Sequence, residues 1–297
     1  GKRAALDDKD QIVSVLTGTD LLFITATMGG GTGTGAAPVI AQLAREMNIL
    51  TVAVVSKPFL FEGNLKMQIA EDGINQIRQF VDALVVVPNK NIMKIVDNDT
   101  LLSHSFIKAD EILKQGILGV TDLITNPGYV AVDFNGLRTI IQRKGDAVMG
   151  IGHGRGEGRT KEAVKNAVES KLLERNLNGA THILMNISGP RNLSLLEIQE
   201  AADEVINYTS KDITFIWGTS VNENMGDLVK ITIFGAGFKD AEKPNVIEDN
   251  NVLLRDNITI NREKESVTTD RKESALFGGY KPNTNRIDTT KPTYQNY

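Results

Sequence analysis

The residues best placed to do chemistry are Gly29, Gly30, Gly31, Thr32, Gly33, Thr34 and Gly35, which hold five glycines and two threonines in seven positions. Glycine lets the backbone approach a ligand closely and present several N–H donors at once. The stretch follows an apolar run and precedes a segment with helical spacing, so a helix N-terminus would add partial positive charge behind it. Two hydroxyls complete a donor set suited to phosphate oxygens. The stretch lacks the Gly-Lys-Ser/Thr ending of a P-loop. Gly31, Gly33 and Ala36 fit the dinucleotide spacing, but the next strand ends Val55-Ser56-Lys57 without the ribose-binding acid of that fold. An NADP-dependent oxidoreductase stays open through Lys57.

Other candidates fall where further strands should end. Glu62 could accept hydrogen bonds from ribose hydroxyls, and Lys66, four residues on, could reach a phosphate. The plainer reading is an exposed ion pair one helical turn apart, which has the better odds when taken alone. Asn89 ends the next strand, where a turn residue is equally at home. Asp110 lies one turn into a long helix; it could accept two N–H bonds from a guanine edge or simply favour the helix N-terminus. Asp133 reads most simply as the cap of a following helix. Nothing pairs a nucleophile with a base.

These positions need a parallel sheet to gather them. Residues 20–26, 50–55 and 81–87 are apolar runs typical of strands buried on both faces. Helical spacing predicts helices over 7–16, 36–47, 64–80 and 106–125. Strand, loop, helix and strand in alternation build a parallel sheet with ligands at its C-terminal edge. After Asp133 the pattern shifts to a short helix at 137–142 and strands at 147–151, 180–187, 213–218 and 228–234. Helices at 161–169 and 195–207 lie between the first three of them. The expectation is an α/β chain in three parts: a nucleotide-binding domain of Rossmann type ending in a long helix over 1–125, a smaller α+β domain with a mixed sheet over 126–238, and a disordered tail over 239–297. Residues 241–297 carry nine basic and nine acidic side chains and few aromatics, too little apolar surface to offset the entropy of ordering.

The whole chain has 297 residues, a net charge of −4 and no cysteine. The charge gives no case for nucleic acid or an anionic membrane. Disulfides and thiolate metal sites are excluded. His104, His153 and His182 fit no metal-ligand spacing. No apolar run approaches membrane-spanning length and no leader is recognisable, so direct membrane insertion is not expected and a cytoplasmic place is.

The stretch from Gly29 to Gly35 resembles the tubulin-superfamily signature, and its neighbours narrow the likeness to the FtsZ family. Ala36-Ala37-Pro38, Lys57-Pro58-Phe59, Phe61-Glu62-Gly63, Pro88-Asn89, Phe106 with Ala109-Asp110, Val132-Asp133-Phe134, and Met149-Gly150-Ile151-Gly152 with Gly156-Glu157 all match in order. The resemblance implies a GTP-binding protein, Mg2+ accompanying the nucleotide, that assembles head to tail into filaments of the bacterial division ring at mid-cell. It implies that the glycine loop holds phosphates, above all at Gly31, Thr32 and Gly33. It places Glu62 and Asn89 at the ribose, Lys66 near the phosphates in place of the usual Arg, and Asp110 on guanine. It also implies that Asp133 acts on the neighbouring subunit's GTP. The family pattern there is Asn-x-Asp-Phe-x-Asp; this chain has Ala131 and Gly136 where the Asn and second Asp would stand, so slow turnover is expected, and a filament subunit that hydrolyses little is the alternative. Gly1 to Ala5 match the stretch just after the family's first strand and two nucleotide loops. A chain beginning there would lack part of the site, bind GTP weakly and fold poorly. Residues 280–297 do not resemble the family's tether-binding peptide; other division-ring partners stay possible.

Overall fold

The computed structural model describes residues 1–94, 102–125, 128–170, 175–209 and 212–238. Three parallel strands open the sheet: β1 (Leu21–Thr27), β2 (Leu50–Lys57) and β3 (Ala83–Pro88). Leu21 pairs with Leu50, and Val52 with Ala83. Residues 50–56 of β2 and all of β3 are buried. Such runs suit a strand covered on both faces, where β-branched side chains pack against helices above and below.

Helices α1 (Lys2–Asp7), α2 (Lys9–Leu16), α3 (Gly31–Glu46) and α4 (Asn64–Arg78) come from the first part of the chain. The expected helix over 7–16 is α2, starting at Lys9, and α1 before it is a helix the spacing did not predict. On α4 the buried positions are Ala70, Gly73, Ile74 and Ile77, one helical face by the three-and-four spacing. With Ala37 and Ala41 of α3 they cover one side of β1 to β3. Helices α5 (Leu102–Thr125) and α6 (Phe134–Ile141) cover the other side, where Ile112, Leu113, Leu137, Ile140 and Ile141 meet Val52, Val54 and Val85.

The sheet continues. Strands β4 (Gly145–Gly154), β5 (His182–Gly189), β6 (Thr214–Val221) and β7 (Val229–Ala236) follow. They extend it to seven strands in the order β1-β2-β3-β4-β7-β5-β6. The four later strands do form a mixed sheet, β7 antiparallel to both neighbours. They are not separate from the first three, because β4 pairs in parallel with β3 over Ala83 to Val85. Helices α7 (Arg159–Val168) and α8 (Leu195–Asn207) pack on one face against Val148, Ile183, Met185, Ile231 and Ile233. The expected helices and strands are all present, with ends displaced by a few residues. The expected tail, residues 239–297, lies outside the described residues.

Candidate functional site

The main departure from expectation is at the glycine stretch. Helix α3 begins at Gly31, so residues 31–35 are its first turns and only residues 28–30 form the turn after β1. Glycine and threonine are weak helix formers, which is why the sequence suggested a loop. The helix starts here because the turn is anchored. Thr34 Oγ1 accepts a 2.8 Å hydrogen bond from the Gly29 N–H, and the Met28 N–H reaches the Ser56 carbonyl at 2.9 Å.

The five glycines divide by what surrounds them. Gly29 has φ +101°, and a Cβ there would lie 2.8 Å from the Pro58 ring and 2.9 Å from Lys66. At Gly33 a Cβ would sit 2.6 Å from the Thr27 carbonyl, and at Gly35 it would sit 2.5 Å from the Lys2 nitrogen of α1. Those three are required by packing. Gly30 and Gly31 are exposed, have ordinary φ, and face open space within 4 Å. Neither strain nor crowding demands glycine at these two. They leave room directly over the N-terminus of α3, where no side chain caps the helix. Its first N–H groups therefore have no partner within the helix and point outward. Both features fit a phosphate group.

The other candidates lie around this edge. Glu62 closes a short turn of 3-10 helix (Leu60–Glu62), accepting from the Phe59 N–H at 2.8 Å. It is also paired with Lys66 one turn along α4. Burial pushes the Glu62 carboxyl up, but the bonds from Lys66 and from the Phe59 backbone outweigh it and hold the group below its ordinary value. The plainer reading of Glu62 and Lys66, an ion pair, is therefore what the structure shows, with the Lys66 stem lying against Gly29. Asn89 is buried at the C-terminal end of β3, and its Oδ1 has no hydrogen-bond partner among the described residues. A buried carbonyl of this kind costs about 1–3 kcal/mol unless something donates to it, so Asn89 fits a ligand hydroxyl. Asp110 is exposed on α5, one turn beyond Phe106. The Phe106 ring meets Phe59 edge-on at 5.4 Å, and Phe59 stacks on Phe61 at 5.1 Å. That aromatic contact brings α5 to the edge where Glu62 stands. Lys57, the residue that left an NADP reading open, is ion-paired with Glu71 at 2.9 Å.

Asp133 is elsewhere. Helix α5 carries the chain about 36 Å by its 24 residues before Asp133 caps α6. There Asp133 Oδ1 accepts a 2.7 Å bond from the Gly136 N–H. The preceding segment is tied to β6: the Gly128 N–H bonds to the Thr219 carbonyl, and the Val130 N–H to Thr219 Oγ1 at 3.0 Å. So the structure gathers the glycine stretch, Glu62, Lys66 and Asn89 on one edge, carries Asp110 on the helix that reaches this edge through Phe106, and leaves Asp133 outside it.

The sequence reading missed an apolar rim. Leu60, Phe61 and Leu65 are 69%, 58% and 73% exposed beside Glu62. Leucine and phenylalanine around a charged residue at a strand end were the available signal.

Residues 1–97 match the GTPase domain of the Tubulin/FtsZ family, and residues 145–239 match the C-terminal domain of the FtsZ family. A solved structure titled as an empty FtsZ dimer from M. jannaschii is 37% identical, with a TM-score of 0.76 over 80% of this chain and 68% of that one. The chain belongs to the FtsZ family. A mutant of the same M. jannaschii FtsZ aligns at 37% identity and TM-score 0.77, over 80% and 71%. CetZ from Methanosaeta thermophila, at 17% identity and TM-score 0.65 over 80% and 67%, shares the fold.

Proposed function

We propose that this FtsZ-family chain binds GTP at the C-terminal edge of its sheet and assembles head to tail into filaments of the division ring in the cytoplasm. The open space over Gly30 and Gly31 at the uncapped N-terminus of α3 carries the reading. The N–H groups of residues 31–33 and the Thr32 hydroxyl hold phosphate, with Mg2+ as counter-ion. Asn89 accepts from the ribose. Asp110, borne on α5, faces the base. On this reading residues 1–125 serve the nucleotide and 126–238 present Asp133 to a neighbour, while 239–297 are a tail. The exposed Leu60, Phe61 and Leu65 supply apolar surface for self-association beside the site. Titration with a fluorescent GTP analogue tests the binding step: saturable binding displaced by GTP and not by NADPH is expected. Displacement by NADPH alone would replace the reading with the oxidoreductase one.

A second reading, a filament subunit with little hydrolysis, is favoured by one observation. Asp133 Oδ1 is engaged by the Gly136 N–H, and neither Ala131 nor Gly136 offers another polar side chain. A Cβ at Gly136 would lie 2.7 Å from that same Oδ1, so Gly136→Asp both adds a carboxylate and loosens Asp133 from its cap. Phosphate release per subunit in pelleted filaments should be slow and should rise in Gly136→Asp. Equal rates in the two proteins would sink this second reading.

A further inference from the structure

At the opposite edge of the sheet, where β2, β3 and β4 begin, lies a cavity of about 390 Å³ lined by Arg45, Arg78, Arg138 and Arg143. They come from three separated segments, Arg138 and Arg143 both from α6 and its end, and their charges are unevenly compensated. Arg78 is bonded to Asp146 at 2.9 Å. Arg45 donates to the Gln79 carbonyl, which carries no full charge. Arg138 lies 5.2 Å from the Phe134 ring centre. The guanidinium of Arg143 enters no ion pair among the described residues. Asp82 is the one acid of the lining among the described residues, and its oxygens are taken by backbone donors: Thr51 N–H at 2.9 Å and Arg143 N–H at 3.1 Å. Three guanidinium groups thus share a cavity with no carboxylate of the described residues bonded to them.

Helix ends account for part of this. Arg45, Arg78 and Arg138 stand in the last turns of α3, α4 and α6, where a cation complements the helix dipole. That explains each arginine alone and not Arg143. Arg143 has φ +54°, one residue past the Gln142 cap of α6. Glycine is the usual occupant of such a left-handed position because a side chain strains it. Here the strained position holds a long cation that lines the cavity. The cavity floor is apolar, formed by Ile49, Leu50, Phe80 and Val81.

We propose that this cavity is a binding site for a small polyanion, a molecule carrying two or more carboxylate or phosphate groups on a short apolar body, held by Arg45, Arg138 and Arg143. It is separate from the glycine stretch, which follows the opposite ends of the same parallel strands. Planar guanidinium groups pair with either anion through two parallel hydrogen bonds.

Calorimetric titration of the full chain with citrate, and separately with inorganic phosphate, tests this at matched ionic strength. One saturable site is expected for at least one probe, and the stronger binder identifies the anion class. The Gly31→Ala variant, altered at the other edge, should bind as before. Arg143→Gly should weaken binding about tenfold while its melting temperature holds or rises, since glycine relieves the strain. Arg138→Gln should weaken binding by a similar factor. Absence of a saturable site for both probes overturns the proposal. So does binding that Arg143→Gly retains, or binding that Gly31→Ala abolishes.

Discussion

Two glycine-rich strand–helix pairs in this chain use glycine for opposite ends. Between β1 and α3, Gly30 and Gly31 face open space, and no side chain caps the helix. Along β4, the strand that leads into α7, glycines admit the protein itself. A Cβ at Gly150, Gly152 or Gly154 would lie 2.2, 2.0 or 2.0 Å from carbonyls of Ala167, Ala163 and Arg159 on α7. The N-terminus of α7 is also locked. Arg159 is 7% exposed. It bonds Glu197 of α8 at 2.7 Å, the Asp227 carbonyl at 3.2 Å and Asn192 at 3.1 Å. Glycine count alone does not mark a ligand site. What marks one is glycine that neither strain nor packing requires.

That contrast can be broken at its packed side first. Gly152→Ala forces a methyl into backbone that cannot yield, and should cost about 3 kcal/mol or more, read as a large drop in melting temperature. A normal melt would show that β4 and α7 can separate freely. Next in size, Arg159→Met leaves Glu197 without its cation and should cost about 2 kcal/mol, below the usual figure for a buried pair because Glu197 keeps some solvent contact; chemical denaturation measures it. At the open junction the effects should part company. Gly31→Ala adds a good helix former at a position with room and should keep or raise stability by about 1 kcal/mol. It should lower GTP affinity at least about tenfold, some 1.4 kcal/mol, by filling the space over the helix end. Lowered stability with unchanged affinity would assign Gly31 to the packed class.

The smallest effect is on pH dependence. The bond from Arg159 holds the Glu197 carboxyl below its ordinary value; burial opposes this, and the Ser194 N–H assists. A depressed folded-state value means the stabilisation is full above the ordinary carboxylate range and is lost as pH falls through the folded value. Melting temperatures should therefore fall in mild acid more steeply for the wild type than for Glu197→Gln. Parallel curves would remove the Arg159 bond as a source of acid sensitivity.

How far sequence could carry the fold depends on the element. The β-branched run at 50–55 could hardly be anything but a buried strand, and the alternation around it gives the parallel sheet. The start of α3 was misplaced because Gly-Thr repeats have poor helix propensity, and tertiary anchoring by Thr34 and β1 overrides it. The pairing of Glu62 with Lys66 was readable from spacing, as was the cap at Asp133. The arginine cavity was not, because its charges lie far apart in the chain and meet only when three strand ends align. Nor was the joining of the two sheets, which rests on a short register that no local pattern encodes.

That short register has a mechanical meaning. Strands β3 and β4 share three paired positions, against seven between β1 and β2 and eight between β4 and β7. Across this line much of the cohesion comes from side chains, with Leu184, Phe234 and Ala236 in one cluster with Val52, Val85 and Leu137. Close-packed side chains hold such a join firmly, but their cohesion follows the apolar area removed from water and not a ladder of directional bonds. The line between β3 and β4 is therefore the join of the sheet that leans most on apolar packing, and since apolar cohesion weakens on cooling, it should be the first to loosen in the cold.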